Sequence, residues 1–407
     1  MTEFIEGGVT AAKGFLAGGI HAGIRKNRSK RDLAMIFCKK RAAAAAVYTT
    51  NLVKGAPLEV TRRHISDGYA RCILCNSGNA NTCNENGIEI AEKSSELVGI
   101  ALNIEPSDVI VASTGVIGQP LSTAPFERGI PLLKEALSEG KEGSAQAAEA
   151  IMTTDTVIKE VAVKSVIAEK EVVVGGIAKG SGMINPNMAT MLVFVTTDAA
   201  ITPEMLQKAV SEDVRDSFNM VTVDGDTSTN DMFVVMASGE AGNDMISAEG
   251  EAFEAFKRAL SAVTKKLCKM LAGDGEGATK ALISRVSGAR TKEVARIAAK
   301  AVIGSALVKA AFFGADANWG RVLCALGYSG AGIDPDKIDV SFSSRAGSID
   351  VCKNGRGVTF SEELAKTILS EKEITTEINL NDGTESAEAW GCDLTYDYVR
   401  INGDYRT

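Results

Sequence analysis

In the stretch NPNMATMLVFVTTDA, residues 185–199, turn-forming polar residues give way to a dense apolar run, and Thr190 stands at the seam. A β-branched residue at the mouth of a buried strand suits the pleat and needs no further reason. A second reading is chemical. If the bond between Ala189 and Thr190 were cut, Thr190 would carry both a nucleophilic hydroxyl and a free α-amine. With a pKa of about 7.7 to 8.0, a useful fraction of that amine is unprotonated near neutrality. One residue then supplies nucleophile and base, without histidine. The chain has 2 histidines, His21 and His64, from which any Ser-His-Asp or multi-histidine metal site would have to be built. Asn185, Pro186, Asn187 and the small Ala189 permit the bend that brings the Thr190 hydroxyl to the Ala189 carbonyl. Strain of about 1 to 3 kcal/mol stored in such a turn would favour the cut.

Other patterns carry less. GGIAKGSGM (175–183), GDGEGATK (273–280) and GYSGAG (327–332) invite a phosphate reading, but none closes a Gly-Lys-Ser/Thr loop or makes a convincing dinucleotide fingerprint, and GDGEGATK follows a helix where such a turn should follow a strand. They read as tight turns, with a loop at Gly175–Gly182. Cys72 and Cys75, with Cys83 beyond, have a metal-like spacing but no second pair. ARCILCNSG reads instead as a strand with packed thiols. Asp224, Asp226 and Asp231 in VDGDTSTND lack the glycine and distal glutamate of a calcium loop. Asx turns supporting the site are the better reading there, and no metal is expected.

These residues need elements to hold them. DLAMIFCKKRAAAAAVYTT reads as strand material leading to a small-residue stretch, and SDVIVASTGVIGQP as a strand ending in a glycine turn at Thr114, Gly115 and Gly118. VIKEVAVKSVIAEKEVVV reads as two strands around a turn at Ala168–Lys170, and DMFVVMASG and KIDVSFSS as further strands. Residues 122–140 look helical. Thr202, Pro203 and Glu204 form a helix start. Phe253, Phe256, Leu260, Val263, Leu267 and Leu271 recur at helical spacing, with Gly273 as the stop. A further helix is expected over 291–313. The class is α/β, with layered sheets and helices.

Length and composition agree. The 407 residues are 45% hydrophobic and 24% charged, as in an ordinary globular chain long enough for two or three cores. No apolar run approaches the roughly 20 residues that cross a bilayer, and the N-terminus lacks a secretory pattern, so a cytoplasmic protein is expected. The net charge of −8 argues against non-specific nucleic-acid binding. The cluster Arg25, Lys26, Arg28, Lys30 and Arg31 reads as a solvated loop or edge.

GGIAKGSGMINPNMATMLVFVTTDA closely resembles the nucleophile segment of the ornithine acetyltransferase family of arginine biosynthesis, the glutamate N-acetyltransferases. The resemblance spans nearly the whole chain, through GGVTAAKGFLAGGIHAGIRK, CNSGNANTC, STGVIGQPL, IMTTDT, VDGDTSTND, GDGEGATK, GADANWGR and YVRINGDYRT. It implies an αββα-type sandwich of mixed sheets and helices, self-cleaved between Ala189 and Thr190 into an α chain of residues 1–189 and a β chain of residues 190–407. It further implies Thr190 as acetyl-accepting nucleophile and Thr114 and Gly115 as oxyanion hole. Thr153, Lys179, Thr190, Glu276, Asn402 and Thr407 would contact substrate. Lys179 suits the α-carboxylate shared by N-acetylornithine and glutamate, and Glu276 suits the side-chain amine of ornithine. No dissociable cofactor is implied, though some members also use acetyl-CoA as a co-substrate, and the assembly would be an α₂β₂ heterotetramer. Two other classes stay open: an N-terminal-nucleophile amidase or aminopeptidase handing its acyl group to water, and a binding protein in which Thr190 is only a strand residue.

Overall fold

A computed structural model of the chain describes residues 2–185 and 191–404. Residue contacts divide the chain into two compact units, one of residues 1–180, 186–215 and 227–267, the other of 181–185, 216–226 and 268–407. Folding units and a covalent division at 189/190 are thus different partitions of the sequence.

The strands of the first unit are β1 (Glu3–Ile5), β2 (Phe15–Ile20), β3 (Leu33–Tyr48), β4 (Tyr69–Asn79), β5 (Val109–Val116), β6 (Lys159–Ile167), β7 (Lys170–Lys179) and β8 (Leu192–Thr197). After the two-residue β9 (Val221–Thr222) of the second unit comes β10 (Met232–Ala237). They form one mixed sheet in the order β1-β6-β7-β8-β10-β3-β4-β5, with β2 on β3. The pairs β8/β10 and β4/β5 run parallel, the others antiparallel.

The residues of β3 alternate between two cores, as a strand covered on both faces must. Ala34 and Ile36 pack into the core that includes helix Lys141–Ile151. Leu33 and Met35 pack with Val60, Ile90, Val98, Phe126 and Ile130 from helices Ala56–His64, Gly87–Leu102 and Ala124–Glu135. Cys75 and Cys72 of β4 divide between the same two cores. Burial pushes both thiols up in pKa, as expected of packed rather than reactive cysteines.

The expected hairpin is present. β6 and β7 pair from Lys159↔Ala178 to Ile167↔Lys170, and Ala168 and Glu169 turn the corner with φ of 47° and 63°. Two residues at positive φ make the turn whose twist matches a hairpin. Gly175 and Gly176, read as part of a loop, are instead buried in β7. Glycine is there for close approach. A Cβ on Gly175 would collide with the Gly8 carbonyl oxygen, and one on Gly176 would lie 2.9 Å from Val195 and 3.3 Å from Val263 and Leu267.

The helix read from Phe253 to Leu271 spans Glu251–Gly273, and that starting at Thr202 spans Pro203–Asp216. The segment 291–313 is not one helix but two, Lys292–Gly304 and Ala306–Phe313. Ser305 breaks it: its backbone is extended and its hydroxyl accepts from Val308 N, capping the second piece.

In the second unit β9, β11 (Ala281–Ala289), β12 (Asp339–Ser344), β13 (Gly347–Lys353), β14 (Arg356–Gly357), β15 (Glu373–Asn379) and β16 (Glu385–Cys392) form a sheet in the order β14-β13-β12-β15-β11-β16-β9. Helix Lys292–Gly304 packs on β11 and β16, and helix Glu362–Leu369 on β12 and β13. Each unit is therefore a mixed sheet layered with helices, as the α/β class requires. Among the described residues no helix is long and apolar enough to cross a membrane.

The tight passage of β7 past residue 8 gives a direct test. Gly175→Ala should cost about 1 to 3 kcal/mol through overpacking, measured by urea unfolding. An unchanged midpoint would mean that the approach is looser than described.

Candidate active site

β4 and β5 run parallel, and Asn76↔Ser113, Ser77↔Thr114 and Gly78↔Gly115 bring the ends of both strands together. Gly115 has φ of +128°, in the left-handed range that side chains rarely adopt. A Cβ there would also run into the Gly78 backbone.

Buried amides brace this strand end. Ser113 Oγ donates to Asn76 Oδ1 at 2.6 Å, and Asn76 Nδ2 donates to Asn79 O at 2.9 Å. Asn230 Nδ2 donates to Ala80 O at 2.6 Å and to Ser113 O at 3.0 Å, while Thr82 Oγ1 donates to Asn230 Oδ1 at 2.6 Å. These bonds satisfy backbone groups that burial would otherwise strand, and they fix the strand next to Thr114.

Lys179 ends β7 and is 7% exposed, so it is no solvated loop residue. Its Nζ donates to Thr114 Oγ1 at 3.4 Å. With that oxygen accepting from an ammonium, the Thr114 proton is left to be donated elsewhere. Burial pushes the Lys179 pKa down, and Asp155 opposes the shift.

Asp155 organises the neighbourhood. Its Oδ1 accepts from Lys159 Nζ at 2.7 Å and from Gly180 N at 2.7 Å, and its Oδ2 accepts from Thr153 N at 3.0 Å. Burial alone would raise its pKa, but Lys179, Lys159 and the Gly180 amide win and hold it at about 2. Thr153, Lys179 and Thr114 are thus brought together in the first unit, around one carboxylate and two buried ammonium groups. Arg25 joins from the stretch read as a solvated basic loop. It is half-buried, its Cγ 2.6 Å from where a Gly78 Cβ would be, and its guanidinium donates to Met152 O beside Thr153.

Both histidines are occupied away from this cluster. His21 Nδ1 lies 3.0 Å from Lys30 O and 3.2 Å from Asp32, and His64 Nδ1 lies 2.8 Å from Val109 O.

In the second unit Glu276 and Asn402 meet. Glu276 sits in the turn after helix Glu251–Gly273, which Asp393 fixes by accepting from Thr279 N and Lys280 N at 2.8 and 3.0 Å. Thr395 Oγ1 adds a 2.7 Å bond to Gly277 O. Asn402, on helix Tyr396–Asp404, donates through Nδ2 to Glu276 Oε2 at 2.8 Å. Glu276 N donates to Ser181 O at 2.9 Å, and a Cβ on Gly182 would strike the Glu276 carboxylate. Burial and the carboxylates of Asp224, Glu276 and Asp226 push the Tyr398 phenol upward in pKa. Ala189, Thr190 and Thr407, like Pro186 and Asn187, lie outside the described residues.

Asp224 holds Asx-type bonds as expected. Asp231 is a buried residue of the first unit, apart from that turn in the partition into units. Among the described residues no group of three or more His, Cys, Asp or Glu could hold a metal ion. Sequence reasoning missed Asp155, Lys159, Arg25 and Asn230, since an acid on irregular chain, a lysine at the first position of a strand and polar side chains near turns read as solvated. The CNSGNANTC stretch offered the one signal, a dense run of amide and hydroxyl side chains straight after an apolar strand.

The family model described as the ArgJ family matches residues 16–407. The chain belongs to the ArgJ family. It is 52% identical over 407 residues to "Arginine biosynthesis bifunctional protein ArgJ" of Symbiobacterium thermophilum, covering 100% of both chains. To the protein of that name from Caldanaerobacter subterraneus it is 50% identical over 406 residues, again covering 100% of both. The crystal structure of "Arginine biosynthesis bifunctional protein argJ" from Bacillus halodurans is 47% identical, with a TM-score of 0.50, covering 52% of this chain and 98% of that one. Membership makes this chain an acyltransferase.

Asp155 has its ordinary pKa of 3.8 lowered to about 2 by folding, so its charge stabilises the fold above pH 3.8 and that contribution fades as pH falls toward 2. Asp155→Asn should cost about 3 to 5 kcal/mol at neutral pH by leaving Lys159 without its carboxylate. The gap from wild type should close between pH 4 and 2. A gap that stays constant through acid unfolding would contradict this.

Proposed function

We propose that the chain is a glutamate N-acetyltransferase that moves acetyl from N2-acetylornithine to glutamate through an ester on Thr190. Family membership supports this reading, and the observation that carries it is Lys179 donating to Thr114, which leaves a hydroxyl proton free at the turn of Gly115.

The chain first cuts itself. The Thr190 hydroxyl adds to the Ala189 carbonyl, the peptide C–N bond breaks, and the hydroxyl proton passes to the departing nitrogen. Water then hydrolyses the ester, giving an Ala189 carboxylate and a Thr190 with free hydroxyl and free amine. The Bacillus halodurans chain, matched over 98% of its length by 52% of this one, is about half as long, in keeping with such a cut.

In the transfer itself the Thr190 amine takes the proton of the Thr190 hydroxyl as that oxygen attacks the acetyl carbonyl. The Thr114 hydroxyl and the Gly115 amide donate to the oxyanion, and ornithine leaves with the proton. The amine of glutamate attacks the ester, and N-acetylglutamate departs as Thr190 recovers its proton. Lys179, with Thr153 alongside, takes the α-carboxylate common to both substrates. Glu276, oriented by Asn402, takes the ornithine ammonium, and Thr407 adds a contact. One relative in the solved structures is an ornithine acetyltransferase of Mycobacterium tuberculosis complexed with ornithine.

The cycle needs no dissociable cofactor. The relatives' description as bifunctional supports a second activity, which we assign to acetylation of glutamate by acetyl-CoA. Assembly as an α₂β₂ heterotetramer in the cytoplasm completes the proposal.

Thr190→Ala should yield an uncut chain without turnover, seen as one band on a denaturing gel. Normal cutting or turnover in that variant would refute the assignment. Thr114→Val should lower kcat by roughly 10²- to 10³-fold while leaving the fold intact. Products chased with labelled glutamate should contain N-acetylglutamate; free acetate alone would instead favour an amidase.

A further inference from the structure

The Asp224 carboxylate grips the backbone just upstream of the seam. Its Oδ2 accepts from Met183 N at 2.6 Å and its Oδ1 from Ile184 N at 2.8 Å. Around this pair, Ile184 O accepts from Val223 N at 2.6 Å and from Asp224 N at 3.4 Å, and Asn185 Nδ2 donates to Gly225 O at 3.0 Å. The Asp226 amide donates to Asp224 Oδ1 at 3.2 Å, closing an Asx turn that aims the carboxylate. Every one of these bonds lies within the second unit.

The clamp holds something that would not hold itself. Met183 has φ of +55°, a region costly for a side chain, yet it is 43% exposed. Core packing does not fix it there. The charge-assisted bond from its own amide does, and such bonds are about twice as strong as neutral ones. A metal role for Asp224 is the weaker alternative, because both its oxygens already accept backbone amides and those at Met183 and Ile184 point at the carboxylate.

We propose that Asp224 is a positioning residue for self-cleavage, fixing residues 183–185 so that the chain enters the Ala189–Thr190 bond in one direction. This rests on the self-cleavage reading above. Asn185 is five residues before Thr190, and in an attack geometry a misplacement near 1 Å can cost about 100-fold. The role proposed for the carboxylate is exerted through the backbone amides of Met183 and Ile184 that it holds.

The test follows full-length chain made by pulse-labelled cell-free synthesis, with conversion of precursor into two fragments read on denaturing gels. Asp224→Ala should slow conversion at least ~10-fold, and Asp224→Asn, which keeps one acceptor oxygen, should fall between it and wild type. Asn185→Ala removes the bond to Gly225 O and leaves the Asp224 clamp in place, so it should slow conversion less than Asp224→Ala. Asp350→Asn, at an exposed position of β13, should convert at the wild-type rate. Stability is separated by comparing Thr190→Ala with the Thr190→Ala, Asp224→Asn double variant, whose melting temperatures should agree within a few degrees.

Wild-type conversion in Asp224→Ala would overturn the proposal while leaving the function intact. A large fall in melting temperature that accounts for slower conversion in both Asp224 variants, with Asn185→Ala at the wild-type rate, would also overturn it. A wild-type chain that never converts would instead sink the self-cleavage reading.

Discussion

Asp155 accepts from the Thr153 amide, the Gly180 amide and the Lys159 ammonium, and through those bonds it fixes the entry to β6, the exit of β7 and the turn before them. Lys159 and Lys179 are buried near this one carboxylate, with Arg25 half-buried beside them, so cationic groups are in excess over Asp155. Cationic groups in a protein interior favour an anionic partner. Lys179 sits where the excess can be used, on the oxygen of Thr114. A site arranged in this way favours a substrate carboxylate and a developing oxyanion over a neutral ligand, and it does so before any substrate is bound.

The second unit is arranged with the opposite sign. Glu276 is held from behind by the Asn402 amide and from below by its own backbone bond to Ser181. The carboxylates of Asp224 and Asp226 add to the field that Tyr398 feels. A surface of this kind attracts an ammonium group. The Asp224 clamp shows the same economy, since one carboxylate both contributes to that field and restrains the backbone that precedes Thr190.

Much of this was legible in the sequence, and the exceptions have physical reasons. The helix from Phe253 to Leu271 could be read because its apolar spacing admits one solution, and the hairpin about Ala168 because two β-rich runs are separated by a minimal turn. The break at Ser305 was hidden: alanine and valine continue across it, and a single extended residue leaves no mark on periodicity. Gly175 and Gly176 read as a loop because glycine punctuates turns, whereas here it admits Gly8 and the Val263–Leu267 face of a helix. Resemblance names Lys179 as a substrate contact, but its burial and its neighbour Asp155 were not legible, because only tertiary structure brings Asp155 to it. The roles of Thr114, Gly115, Glu276 and Asn402 were carried by resemblance across whole motifs, since a threonine or an asparagine alone has too many ordinary uses.

The central claim is that one residue is both the attacking oxygen and its own base, and the most direct measurement is the intact mass of purified active protein mixed with N-acetylornithine, glutamate withheld, and quenched. The account predicts two polypeptides, with the piece beginning at Thr190 heavier by one acetyl group and returning to its starting mass once glutamate is added. Turnover by an unbroken polypeptide, or turnover in which that piece never gains acetyl, would contradict it.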